Sequence, residues 1–356
     1  MLVKKKPKPL LFLFLFLLIG LVSVIISYFY FTGPVNSKKK ENIEVTIENG
    51  MTSVEIGNIL KEKDLIHSTF FFKVYLKLTH ANSLKASTYL FQKSMSLKEI
   101  VESLKEGSTY NPNQIRITFK EGLRLTDYAQ AISEETNHSY EEVLALLKDS
   151  DFLQELIQKY WFLTEDILNP SIYYPLEGYL APETYFFDDK DVEIKEIIET
   201  MLKQTEKNIE VYKEKISENP HYYFTMASVV ELEGTNAENR EMIVGIFQNR
   251  LSSGMNMGSD VTTYYALQLP LTSDLTSDQF NVVNPYNTRN PSMIGKMPVG
   301  PICSPGKTSL AASVNPTKSD YYYFVADKHG KIYYTKTMAE HSQKIAEIKA
   351  NGDWIW

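Results

Sequence analysis

Val45-Thr-Ile-Glu-Asn-Gly50-Met-Thr-Ser-Val-Glu-Ile-Gly-Asn-Ile-Leu60 reads as a short alternating strand, a turn at Gly50 and an amphipathic helix. Starting 72 residues later, Ile117-Thr-Phe-Lys-Glu-Gly122-Leu-Arg-Leu-Thr-Asp-Tyr-Ala-Gln-Ala-Ile132 reads the same way. Only Thr and Gly are identical across the aligned core, so an internal repeat and a chance likeness between two β-turn-α units both explain it. The first unit continues with a helix over Ser68–Leu78, a strand near Ser87–Gln92 and a helix over Leu97–Lys105 that stops at Gly107. This predicts a β-α-α-β-α module over residues 43–108. Ser108–Gln114, with Asn111-Pro112-Asn113, reads as a hinge. From residue 115 to 356 the pattern is helix-rich, with helices expected over Tyr140–Lys148, Phe152–Tyr160, Val192–Lys215, Tyr222–Glu233, Glu238–Leu251 and His341–Ala350. A strand over Tyr321–Ala326 is expected to pair with Lys331–Thr335 through Lys328-His-Gly330. The fold class is therefore α+β, a small module followed by a larger mixed domain.

The 356 residues carry a net charge of −7, unevenly placed. Residues 1–40 hold seven Lys and no acid, and the rest of the chain has a net charge of −14. Phosphate binding needs a positive footprint, so a nucleic-acid-binding body is not expected. Leu10–Phe31 is 22 residues without a charge, 17 of them Leu, Ile, Phe or Val. As a helix it would span roughly 33 Å, enough for a bilayer core. The run is too long for a signal-peptide core, and no small-x-small cleavage site follows. Lys4, Lys5, Lys6 and Lys8 precede it, while Lys38, Lys39 and Lys40 follow. The denser basic flank belongs inside. The expected order is a cytoplasmic tail at 1–9, a transmembrane helix at 10–31, a polar spacer at 32–42 and an extracellular remainder.

Cys303 is the sole cysteine, which rules out an intrachain disulfide and a Cys-based zinc site. It sits in a turn-rich loop and reads as a packed residue. The six histidines include no pair at i, i+4, and no Gly-x-Ser-x-Gly elbow occurs. No metal or cofactor is expected, and carboxylate chemistry remains. Met226-Ala-Ser-Val-Val-Glu231-Leu-Glu233-Gly234-Thr235 is an apolar helix with Glu on its last turn and Gly234 as a stop. Glu231 and Glu233 stand about 200° apart around such a helix, so they cannot form a close pair. One is expected to face a cleft and the other solvent. The helix C-terminus and apolar neighbours would favour a protonated carboxyl, suited to a general acid.

This stretch resembles the Ala-Ser-Ile-Val-Glu-x-Glu motif of the YceG-like (MltG) endolytic murein transglycosylases. Further blocks follow in that family's order: Leu176-Glu177-Gly178 with Pro182-Glu-Thr-Tyr185 upstream, then Val244-Gly-Ile-Phe-Gln-Asn-Arg250-Leu, Gly258-Ser-Asp260-Val-Thr262, Tyr286-Asn287-Thr288, Pro298-Val-Gly300-Pro and Tyr323-Phe-Val-Ala326. Arg289 and Val261 depart from the family's Tyr and Pro. The resemblance implies that residues 43–108 are a LysM-like, glycan-binding module and that 115–356 are the catalytic domain. It implies a peptidoglycan glycan strand as substrate and Glu231 as the single catalytic glutamate. In that mechanism Glu231 protonates the glycosidic oxygen between N-acetylmuramic acid and N-acetylglucosamine, and then takes the proton of the sugar's own 6-hydroxyl as a 1,6-anhydro end forms. Glu177, Asp260, Asn287 and Thr288 are the candidates for positioning the sugar, and Glu233 is expected to support or to lie at the surface. Membrane-bound peptidoglycan synthases are the expected neighbours. Two other readings stay open: a non-catalytic wall-binding scaffold, and a muramidase pairing Glu231 with Asp260 or Glu177.

Overall fold

Pro9–Thr32 is one continuous apolar helix, α1, in the computed structural model, which describes residues 9–81 and 83–354. The tail expected at 1–9 lies outside the described residues except for Pro9. Leu13–Thr32 has a mean hydropathy of 2.5 and is long and apolar enough to cross a membrane. None of that window is buried against protein. The chain divides into two compact units, one ending at Pro112 and the other beginning at Asn113.

In the first unit, β1 (Asn42–Ile47) is followed by α2 (Ser53–Glu62), α3 (Thr69–Leu78), β2 (Ser87–Gln92) and α4 (Leu97–Glu106). The two strands are antiparallel, in register from Asn42 opposite Gln92 to Ile47 opposite Ser87. Alternation turns Val45 and Ile47 inward, while Thr46 pairs with Thr88 on the outer face. Helix starts are written locally: Thr52 with Glu55, and Ser96 with Glu99, form reciprocal capping boxes. Leu97, Ile100, Val101 and Leu104 form the buried stripe of α4, and Gly107 ends it at φ +89°. The segment expected to be a polar spacer is held at Asn36, whose N–H donates to the Lys93 carbonyl at 2.9 Å. The last turn of α1 is anchored too: Phe31 stacks on Phe71 at 4.1 Å between ring centroids, and Tyr30 on His67 at 4.6 Å.

The second unit opens with β3 (Ile115–Thr118), then α5 (Leu125–Glu135), α6 (Tyr140–Leu146) and α7 (Ser150–Lys159). β4 (Thr184–Phe187) pairs antiparallel with β3, and α8 (Ile194–Ile209) follows. The single long helix expected over Val192–Lys215 is interrupted by a tightened turn at Glu210–Tyr212, then resumes as the short α9 (Lys213–Ile216). Tyr128, Phe152, Phe162, Met201 and Tyr179 close this half of the core.

α10 (Pro220–Glu233) runs between the two cores of the unit: Phe224 and Ala227 belong to one, and Met226, Val229 and Val230 to the other. It is buried on most sides, as a helix without one polar face must be. Around it lie α11 (Ala237–Ser252), α12 (Asp260–Ala266), α13 (Ser277–Phe280) and α14 (Lys307–Val314). Gly245 lets α11 touch the Thr317 carbonyl, which a Cβ would meet at 2.1 Å. The last elements are the antiparallel hairpin β5 (Tyr323–Ala326) and β6 (Ile332–Thr335), mostly half-buried, and α15 (Met338–Ala350).

Candidate active site at the end of the central helix

Glu231 stands on the last turn of α10, where three other segments converge. Its Oε1 accepts from Arg240 Nη2 at 2.7 Å. Its Oε2 accepts from the Gly306 N–H at 2.8 Å and from Ser309 Oγ at 2.7 Å. The Glu231 side chain is only 6% exposed and that of Arg240 13%. Local sequence explains the convergence. α10 stops at Gly234, and α11 begins after Asn236, whose side chain caps the Asn239 N–H. That short turn brings Arg240 back over Gly234, where a Cβ would lie 2.5 Å from Arg240 Cγ. Arg240 also donates to Thr308, and its Nε is buried without a partner among the described residues. The other donors come from the first turn of α14, whose positive end suits a carboxylate. Sequence alone offers no counter-charge at Glu231; the fold supplies one.

A further carboxyl reaches the same place. Glu121 is in the turn after β3, held by reciprocal bonds from the Gly122 N–H to the Ser304 carbonyl and from the Ser304 N–H to the Leu123 carbonyl. A Cβ built on Gly306 would meet the Glu121 carboxyl at 2.2 Å. The two carboxyls therefore flank one residue. Glu121 is exposed and accepts no hydrogen bond among the described residues. Desolvation, and then the neighbouring Glu231 charge, push its carboxyl above the ordinary value.

Glu233 is not a surface residue. It is half-buried and accepts from Ser259 Oγ at 2.5 Å. Burial, reinforced by the Asp260 charge, raises its carboxyl above the ordinary value, against the opposing effects of the Ser259 bond, Arg289 and Arg250. Glu231 and Glu233 thus belong to separate networks, as their spacing on the helix requires. Asp260 opens α12, is half-exposed, and pairs with Arg289, whose guanidinium lies 5.5 Å from the Phe280 ring centroid. The departure at Arg289 therefore has a partner.

The remaining candidates for positioning the sugar are buried and hydrogen-bonded within the protein. Asn287 and Thr288 are 0% exposed and Glu177 1%. Asn287 accepts from Thr263 Oγ1 at 2.7 Å and donates to the Val282 carbonyl at 2.8 Å. Thr288 Oγ1 takes the Ser259 N–H at 3.0 Å and shares a 2.8 Å bond with Thr262. Their polar groups are spent on holding loops that no sheet pairs. Glu177 accepts from the Leu125 N–H at 2.9 Å and from the Tyr265 hydroxyl at 3.0 Å, tying the start of α5 to α12. Cys303 is packed too, its thiol donating to the Ser228 carbonyl at 3.2 Å and driven up by burial. An open cavity of about 370 Å³ lies instead between β6 and α15, and its lining shares no residue with the contacts of Glu231.

Burial pushes the Glu177 carboxyl up to about 8 from its ordinary 4.5, against the opposing effect of its two donors. Between those values the folded chain keeps a proton that the unfolded chain has lost. Stability should therefore fall as pH rises across that window. Glu177→Gln should flatten this part of the stability-against-pH curve, measured by urea unfolding at several pH values; an unchanged slope would show that Glu177 does not titrate there.

The YceG-like family model matches residues 45–347. The endolytic murein transglycosylase of Bacillus subtilis is 37% identical over 314 residues, which cover 87% of this chain and 86% of that protein. The endolytic murein transglycosylase of Streptococcus pneumoniae is 33% identical over 333 residues, covering 88% of this chain and 60% of that longer protein. A crystal structure of a yceG-like protein from Listeria monocytogenes superposes with a TM-score of 0.60 at 36% identity, covering 86% of this chain and 99% of that one.

Proposed function

Because the chain belongs to the YceG-like family, we propose that it is an endolytic murein transglycosylase that cuts the N-acetylmuramic acid to N-acetylglucosamine bond within peptidoglycan strands and leaves 1,6-anhydro ends. The observation that carries this reading is Glu231. At the position where the family resemblance places the catalytic glutamate, a carboxyl is held by donors from α11 and α14 at the end of a rigid buried helix. The chemistry needs no metal and no added nucleophile. As the C1–O4 bond breaks, its electron pair goes to O4, which takes a proton. The 6-hydroxyl of the same muramic acid attacks C1 and gives up its own proton to the site. An internal nucleophile gains from proximity, and Glu231 is the carboxyl at the centre of the proton exchange.

Asp260 and Arg289, half-exposed beside the Glu233 network, are the groups placed to meet a sugar or its acidic substituents, while Asn287, Thr288 and Glu177 brace the loops from behind. The first unit, as a LysM-like module, would hold the glycan, and α1 would anchor the chain in the membrane with the rest outside, near synthases that release new strands. The 32–42 segment, held at Asn36, supports a short tether. Protease added to wall-stripped cells should digest the second unit; its protection would reverse this orientation. Product mass tests the reaction itself. Purified full-length protein in detergent should release anhydro ends from uncrosslinked strands; reducing ends would mean hydrolysis, and intact strands a scaffold.

A further inference from the structure

We propose that α3 is a membrane-surface helix: its outer face, carried by Phe70, Val74 and Leu78, rests in the headgroup and upper acyl-chain layer of the leaflet from which α1 emerges. The assignment rests on the reading of α1 as a membrane anchor and adds a second, peripheral contact to it.

Helical spacing gives α3 two apolar faces. Phe72 and Leu76 belong to the core of the first unit and are 0% and 7% exposed. Phe70, Val74 and Leu78 recur at i, i+4 and i+8, a separate row on the same helix. Phe70 is 67% exposed, Leu78 66%, and Val74 is half-buried. Left in water, that row forgoes the burial that apolar surface favours. Lys73 and Lys77 border it on one side, both exposed and neither in an ion pair among the described residues. α3 carries these two Lys and no acid. Long cations beside an apolar row can lay their stems over lipid while the ammonium groups reach anionic headgroups.

What covers the row follows from α1. Crossing a hydrocarbon core takes about 20 helical residues, so a helix that enters at Leu13 leaves it by Thr32. The start of α3 is clamped to that exit. Phe31 stacks on Phe71 at 4.1 Å and Tyr30 on His67 at 4.6 Å between ring centroids. Phe70 meets Phe71 edge-on at 5.6 Å. The exposed row therefore begins where α1 passes from lipid to water, beside Tyr28 and Tyr30, rings of the kind that settle at that boundary. The bond from the Asn36 N–H to the Lys93 carbonyl shortens the tether, so the first unit does not swing clear. With the row in the leaflet, that unit is oriented on the bilayer rather than carried on a free stalk.

Quenching by spin-labelled lipid tests this. Phe29→Cys, Glu62→Cys, Phe70→Cys and Leu78→Cys are each made in the full chain, labelled with an environment-sensitive dye and placed one copy per nanodisc of phosphatidylcholine and phosphatidylglycerol. Cys303 is 0% exposed and escapes the dye. The four replaced side chains are exposed, so melting temperatures should match that of the parent chain. Lipids carrying a nitroxide near the headgroup should quench the labels at Phe70→Cys and Leu78→Cys as strongly as the label at Phe29→Cys on α1. Glu62→Cys lies on α2, which packs against α3 at Phe72, on the other face, and its label should keep the emission of dye in water. Labels at Phe70→Cys and Leu78→Cys that read as dye in water, beside a quenched Phe29→Cys, would overturn the proposal and leave the anchor standing. Failure to quench Phe29→Cys would sink the anchor reading and the proposal with it. Equal quenching at Glu62→Cys would show that the dye, not the face of α3, selects lipid. Shielding of the Phe70→Cys and Leu78→Cys labels only in discs that hold two copies would assign the row to a second copy of the chain. Either result also overturns the proposal.

Discussion

Glu231→Gln should abolish strand cleavage, with a loss of at least about 10²- to 10⁴-fold, the usual worth of general acid–base catalysis. The amide keeps the size and shape of the carboxyl but cannot take up a proton. Sequence alone suggests that such a helix-end variant folds unharmed. The structure changes that expectation. Glu231 is the shared acceptor for Arg240, Gly306 and Ser309, so its replacement leaves a mostly buried guanidinium without a counter-charge and sets an amide N–H₂ or carbonyl against existing donors. A cost of about 3–5 kcal/mol follows, as for removing either member of a largely buried ion pair. Activity must therefore be compared below the onset of unfolding, with the melting temperature measured alongside. Glu233→Gln is the matched comparison, two residues along the same helix but bonded to Ser259 in a different network. It should retain most of the activity. Inactivity of Glu233→Gln beside an active Glu231→Gln would move the site to the other side of α10.

How much of this was legible in the sequence depends on the range over which each feature is determined. The strands, the helices and their starts were readable because their causes are local: Thr52 with Glu55, Ser96 with Glu99, and Gly107 beyond α4 are three or four residues from what they control. The position of Glu231 was readable because α10 and its stop at Gly234 are continuous sequence. Glu121 was not, since it meets Glu231 across 110 residues of chain, through backbone bonds between Gly122, Leu123 and Ser304 that no side-chain pattern announces. Arg240 was closer, nine residues on, but only the tightness of the Gly234–Asn236 turn points it back. The sugar-contact expectations at Asn287, Thr288 and Glu177 fall on buried, internally bonded side chains for a general reason. A loop-rich region without sheet partners must satisfy its backbone with side chains, so polar residues there are consumed internally. In sequence they look the same as residues offered to a ligand.

The pair that holds the site together predicts the largest stability effect. Arg240 and Glu231 are 13% and 6% exposed and 2.7 Å apart, and among the described residues Arg240 is the only cation bonded to that carboxylate. Removing one member of a largely buried ion pair typically costs about 3–5 kcal/mol, because the remaining charge stays desolvated. Each single variant strands one full charge, and Arg240→Gln also removes the Thr308 contact at the start of α14, so it should destabilise the second unit at least as much as Glu231→Gln does. The double variant should be less damaged than the sum of the two, with a coupling of at least about 1 kcal/mol, because neither charge is then left alone. Urea unfolding of the four proteins measures this directly. Strict additivity would mean that the pair is solvated in solution and that Arg240 does not hold Glu231. In that event Arg240→Gln would also leave cleavage unchanged, whereas a coupled pair requires activity to fall together with stability, since the carboxylate would lose the contact that, among the described residues, fixes its Oε1.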